Sequence, residues 1–145
     1  MLYKMQKAEL MPEIFILKIK DIQPSQLYIS STKLANIYVK FNFITTGAIT
    51  PVPVKKLGED IIYTDGHTRA FALYERGENE IRAYWDEDDL DLGEYEICVG
   101  WCKDEGIFTI ADLKDRVVSP DDFQKLWIRR CQMMQNELKA GRDTE

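Results

Sequence analysis

The chain has 145 residues, a length that fits one domain or one domain with an extension, and a chain of this size buries roughly two-thirds of its unfolded surface without help from a metal or disulfide. Its net charge is −6, with eleven basic and twelve acidic side chains over residues 1–88 and eight and thirteen over 89–145. Nucleic-acid backbones are bound by clustered Lys and Arg, so an acidic tail on a near-neutral body disfavours DNA or RNA as the main partner.

Taken in chain order, Met1 to Leu10 carries Lys4, Lys7 and Glu9 and no apolar run, so it does not read as a secretory signal. Ile14 to Ile19 is apolar and β-branched, a strand. Pro24 and Ser25 mark a turn. Ser30 or Ser31 then caps a helix whose apolar face is Leu34, Ile37, Tyr38 and Phe41. Thr45-Thr46-Gly47 reads as a loop. Pro51-Val52-Pro53-Val54 is extended, at an edge or a strand start. Gly58-Glu59-Asp60 turns into the short strand Ile61-Ile62-Tyr63. A helix from about Gly66 to Arg76 ends at Gly77, and Ile81 to Trp85 is a further strand.

Beyond residue 88 the pattern is helical, with no strand in view. Asp86 to Asp91 has five acids in six residues, a solvated linker that caps the next helix or a place for a divalent ion. Tyr95, Cys98, Trp101 and Cys102 share one helical face. Thr109 with Asp112 resembles a capping box. Ser119-Pro120-Asp121-Asp122 is a helix start. Phe123, Trp127, Cys131, Met134 and Leu138 form the stripe of the last helix, to be covered by the body of the chain or by a second copy in a homodimer. The plan is thus an α/β (α+β) domain with a small mixed sheet over residues 1–88, and a helical extension over 89–145 packed on it.

Three cysteines, Cys98, Cys102 and Cys131, give an odd count that suits a reducing compartment. The cytoplasm is the expected location, with no membrane span. The cysteine spacing does not describe a metal site, and none is expected.

The chemistry concentrates at Thr64-Asp65-Gly66-His67-Thr68-Arg69, which joins a strand directly to a helix. A helix start has unpaired N–H groups and a partial positive charge, a ready anion site. Gly66 lets a ligand approach the backbone, and His67, Thr68 and Arg69 add donors. Asp65 fits as a helix cap, as the holder of a cation, or as a catalytic group. His67 fits as an acid/base or phosphate donor, or as the partner of a neighbouring backbone group. Lys55, Lys56 and Arg129-Arg130 are weaker candidates for an anion.

The run from Ile19 to Trp85 resembles the ParB/sulfiredoxin (ParB/Srx) superfamily. The resemblance rests on Asp21-Ile22-Gln23-Pro24-Ser25-Gln26-Leu27, then Pro51-Val52-Pro53-Val54, then Asp65-Gly66-His67-Thr68-Arg69-Ala70-Phe71-Ala72, then Gly77 and Ile81. The loop looks like the Asp-Gly-His variant of bacterial ParB-like proteins. The resemblance implies that Gly66, His67, Thr68 and Arg69 surround the phosphate of a nucleotide or phosphorylated small molecule. Mg²⁺ is a candidate companion of such a ligand, at the acidic run or at Asp65.

Departures limit what is carried over. Sulfiredoxins have Gly-Cys-His-Arg, and His67 stands where their catalytic cysteine would. Partition proteins have Gly-Glu-Arg-Arg and an Asn-Pro-Arg motif, both absent here. Free-serine kinases share Asp-Gly-His but place a glutamate after the first turn, where Leu27-Tyr28-Ile29-Ser30-Ser31 has no acid. A nucleotide or phosphate binder is therefore expected. The alternatives are a small-molecule kinase or nucleotide hydrolase using Asp65 or His67, and a DNA-associated accessory protein.

Overall fold

The structure, a computed structural model, describes residues 12–41 and 49–143. The N-terminal reading over Met1 to Leu10 and the loop at Thr45-Thr46-Gly47 lie outside the described residues.

A four-stranded sheet has the order β1-β5-β3-β4, formed by β1 (Phe15–Lys18), β3 (Val52–Leu57), β4 (Asp60–Tyr63) and β5 (Glu80–Trp85). β1 and β5 are antiparallel, β5 and β3 parallel, and β3 and β4 antiparallel. The Pro51–Val54 segment is thus the start of an interior strand, not an edge. Pro53 is tolerated because pairing with β4 begins only at Val54, so no β4 carbonyl requires an N–H from Pro53. The free edge of β4 is covered by the first turn. Gln23 N–H donates to the Ile61 carbonyl at 2.8 Å, and Tyr63 N–H donates to Gln23 O at 3.2 Å.

Helix α1 (Ser31–Phe41) follows β2 (Ile29–Ser30), and α2 (His67–Glu75) follows β4. Arg76 and Gly77 end α2 in a Schellman arrangement. Gly77 (φ 94°) donates to Tyr74 O, and Glu78 donates to Leu73 O. Helix α3 (Leu92–Asp104) is capped by Asp91, whose carboxylate accepts from Glu94 N–H. The capping box of Thr109 and Asp112 starts a short 3-10 turn, Ile110–Leu113.

One strand interrupts the helical extension. β6 (Val117–Val118) pairs in parallel with β2. It is two residues long, below what periodicity can register. The terminal helix then runs over residues 120–143, 24 residues in all, as α4 (Pro120–Phe123), a π-helical turn (Gln124–Ile128) and α5 (Arg129–Asp143). Ser119 caps it through its hydroxyl, which accepts from Asp122 N–H at 3.2 Å. An α-helix advances about 100° per residue, so a stripe spaced by fours drifts around it. The wider π turn offsets that drift and keeps Phe123, Trp127 and Cys131 on one side.

One hydrophobic core runs through both parts of the chain. Ile22, Leu27, Val54, Tyr63 and Phe71 join Ile107, Ile110, Leu113, Phe123 and Trp127 in a single cluster. The stripe of the terminal helix is therefore covered by its own chain, and Cys131 and Leu138 pack at its margin. Among the described residues no helix is long and apolar enough to cross a membrane.

Candidate functional site

The loop between β4 and α2 is held from three directions. Thr64 N–H donates to Pro53 O at 3.1 Å, and the Thr64 hydroxyl donates to Asp86 Oδ2 at 2.7 Å. The Tyr95 hydroxyl donates to Thr64 O at 3.0 Å. The acidic run is thus pinned to the loop at Asp86, whose other oxygen accepts from Asp88 N–H.

Asp65 is exposed and is not the cap of α2. The N-cap is Gly66, at φ 82° and ψ 17°, and the Asp65 carboxylate accepts instead from Gly66 N–H at 2.8 Å. Gly66 is required twice over. Its left-handed backbone disfavours a side chain, and a Cβ there would stand 2.6 Å from Val52 Cγ1.

His67 opens the helix and is 4% exposed. Its Nε2 accepts from the Ser25 backbone N–H at 2.9 Å, while the Ser25 hydroxyl donates to Tyr63 O at 2.7 Å. The acceptor role at Nε2 places the ring proton on Nδ1. Burial pushes the imidazole pKa down to about 4, against a smaller upward pull from the Asp65 carboxylate. His67 is therefore neutral at pH 7 and ties α2 to the first turn, which leaves Nδ1–H as its one donor. Arg69 is half-buried and donates through Nη1 to the carbonyls of Thr50 (3.2 Å) and Pro51 (3.1 Å). Thr68 is half-buried beside it.

Three clefts meet at this loop, and Asp65 lines all of them. The first, about 430 Å³, lies between α1 and the start of α2. Lys33, Asn36 and Lys40 face Gly66, Thr68 and Arg69 across it. Three cations stand there against one carboxylate, at the positive end of a helix. The sequence reading of α1 followed its apolar face and passed over these three. Their spacing of three and four residues was the available signal.

The second cleft, about 180 Å³, is walled by α3 and the terminal helix, through Tyr95, Cys98, Trp127 and Cys131. The third, about 660 Å³, is acidic and aromatic, with Asp86, Glu87, Asp88, Tyr84, Trp85 and Tyr95. Tyr95 is held protonated by burial and then by the charges of Asp86 and Asp65. A further cleft of about 490 Å³ around Lys18, Tyr74, Asn79 and Ile110 includes none of the loop's residues.

The other basic candidates lie elsewhere. Lys55 donates to the carbonyls of Asp86 and Asp88. Lys56 sits over the Trp85 ring, and Arg130 sits over Trp101 and pairs with Glu105. Among the described residues no group of three or more His, Cys, Asp and Glu side chains is placed to hold a metal.

No family model matches the chain, and no curated protein matches it. Among solved structures it is similar to protein Atu1540 from Agrobacterium tumefaciens, with a TM-score of 0.51 at 15% identity, over 80% of this chain and 66% of that one. The sulfiredoxin from Arabidopsis thaliana aligns with a TM-score of 0.42 at 17% identity, over 53% of this chain and 88% of that one. The likeness to Atu1540 is one of fold, a mixed α/β arrangement of the kind the sequence led us to expect.

Proposed function

We propose that this protein binds a nucleotide or another phosphate-bearing small molecule in the cleft between α1 and the start of α2. The observation that carries this reading is the cleft that Lys33, Lys40 and Arg69 line together with the N-terminus of a helix, with the Lys33 ammonium resting 5.3 Å over the Phe123 ring at its side. The N–H groups of His67 and Thr68 and the Arg69 guanidinium are the close contacts, and the two lysines answer further negative charge. Asp65, exposed at the mouth, holds the Mg²⁺ that accompanies the phosphates. His67 works mainly by fixing the helix start, and contributes Nδ1–H at most. The resemblance of the Asp65-to-Ala72 run to ParB/Srx proteins supports the same reading.

A second reading, phosphoryl transfer to a small molecule, is favoured by one observation. Asp65 lies on the wall of both the cationic cleft and the acidic, aromatic one. A carboxylate so placed can accept a proton from an alcohol that attacks a phosphate.

A thermal-shift panel of nucleoside mono-, di- and triphosphates and pyrophosphate, with and without Mg²⁺, tests the binding reading. A ligand at about a hundred times its dissociation constant adds roughly 2.7 kcal/mol, a visible rise in melting temperature. The rise should be lost in Lys33→Ala/Lys40→Ala. No rise with any of these ligands would overturn the proposal. Turnover of a nucleotide, abolished in Asp65→Asn, would mark the second reading.

A further inference from the structure

The phosphate reading uses none of the three free cysteines, yet two of them share a wall. Cys98 on α3 and Cys131 on α5 both line the 180 Å³ cleft that also takes in Thr64, Asp65 and His67. Their thiols interact with one another, from one helix to the other. Cys102 is different. It lies one turn beyond Cys98, has no exposed surface and does not reach the cleft. It is a small core side chain, its thiol pushed up to about 12 by burial.

We propose that Cys98 and Cys131 are a peroxide-sensitive dithiol, which closes into a disulfide that ties α3 to the terminal helix beside the Asp65 loop. Interacting thiols on two neighbouring helices meet the first requirement of such a bond, sulfurs that face one another.

The two sulfurs differ in the way the chemistry needs. Cys131 is half-buried on the cleft. The interaction with Cys98 and then the nearby charge of Arg130 pull its thiol below the ordinary value. Arg130 is itself held in place, over the Trp101 ring at 4.1 Å and 3.5 Å from Glu105. Cys98 keeps its proton, held by the interaction with Cys131 and by burial. The thiolate is the nucleophile in thiol oxidation and must be reached by the oxidant, so the more exposed Cys131 attacks and Cys98, 8% exposed, resolves.

The co-reactant is a hydroperoxide. The Cys131 sulfur attacks its terminal oxygen and the O–O bond breaks. The departing oxygen leaves as water or alcohol, and Cys131 becomes a sulfenic acid. The Cys98 sulfur then attacks the Cys131 sulfur and the S–O bond breaks. Hydroxide leaves with the Cys98 proton as water. Two thiols and one hydroperoxide yield one disulfide, one alcohol or water, and one water. A thiol reductant reverses the closure by exchange.

The test uses the full chain, reduced and then exposed to a small molar excess of hydrogen peroxide. Free thiols are counted under denaturing conditions, and the protein is mapped by mass spectrometry without reduction. The expected result is loss of two of the three thiols, loss of two hydrogens in mass and a linked pair of peptides holding Cys98 and Cys131. Dithiothreitol should restore all three thiols. Cys102→Ala should form the same cross-link, and the oxidised wild type should melt higher than the reduced protein, because the bond closes a long loop of chain. Survival of all three thiols would overturn the proposal. So would oxygen addition without a cross-link, or a cross-link made by Cys102 or between chains. The wild-type map needs no substitution, so a variant that failed to fold would not blur the result.

Discussion

The Nε2 of His67 accepts a hydrogen bond from the backbone N–H of Ser25 at 2.9 Å. The pair joins the first residue of α2 to the turn that covers the edge of β4, so the helix start is held at a fixed place against the sheet. The bond needs a neutral ring. The imidazole titrates at about 4 in the folded protein, against about 6.5 when unfolded. Between these values the unfolded chain binds more protons than the folded one. The stabilisation is therefore complete above pH 6.5 and is lost as pH falls toward 4. Its full size is on the order of 3 kcal/mol. In His67→Gln, whose amide oxygen can accept from Ser25 N–H without titrating, the melting temperature should fall less between pH 7 and 4 than in the wild type. Parallel pH profiles would show that the His67 ring carries no such linkage.

Gly66 and Gly77 both have positive φ, 82° and 94°, but only Gly66 is hemmed in. Gly66→Ala should cost roughly 2–4 kcal/mol, through the left-handed backbone and the overlap with Val52. Gly77→Ala, with nothing within 4 Å of the added methyl, should cost about 1 kcal/mol. Urea denaturation of the two variants measures the difference. Equal losses would show that space at the loop is not limiting.

Lys33 and Lys40 are exposed, so replacing Lys40 by alanine should change stability by less than about 0.5 kcal/mol, and replacing Lys33, whose ammonium lies 5.3 Å over the Phe123 ring, by up to about 1 kcal/mol. Each should weaken a phosphate ligand roughly tenfold, the scale of one charged hydrogen bond. Arg69→Ala is the less clean test, because Arg69 also holds the Thr50 and Pro51 carbonyls. Isothermal titration calorimetry separates the cases. A lysine variant that binds as tightly as the wild type would remove α1 from the site.

A fragment ending at residue 88 should fail to fold cooperatively. Ile107, Ile110 and Leu113, each at most 1% exposed, come from beyond that point. The Gln23 side chain, 6% exposed, also donates to the Ile107 carbonyl at 2.9 Å. Removing the second part leaves apolar surface bare and Gln23 without that partner. Circular dichroism melting of the fragment checks this, and a sharp transition would show an independent domain.

The elements legible in the sequence are those specified by local chemistry. Gly77 ends α2, Asp112 completes a capping box with Thr109, and Ser119-Pro120 starts the terminal helix, each through bonds to residues a few positions away. What was not legible depends on distant partners. Pro53 enters an interior strand because of where β4 begins to pair. β6 exists because Ile29 and Ser30 receive it. At the site, the strand-loop-helix of residues 64–69 stood out in the sequence. The cap at Gly66 in place of Asp65 turns on one backbone angle, and the role of His67 turns on Ser25, 42 positions away. The facing lysines became visible only once α1 and α2 lay side by side.

The most direct test of the phosphate cleft is an amide chemical-shift titration of ¹⁵N-labelled protein with a nucleoside triphosphate and Mg²⁺. The account predicts saturable shifts that are largest at Gly66, His67, Thr68 and Arg69, with smaller ones at Lys33 and Asn36. Shifts centred on the distant cleft at Lys18 and Asn79, or none at millimolar ligand, would contradict it.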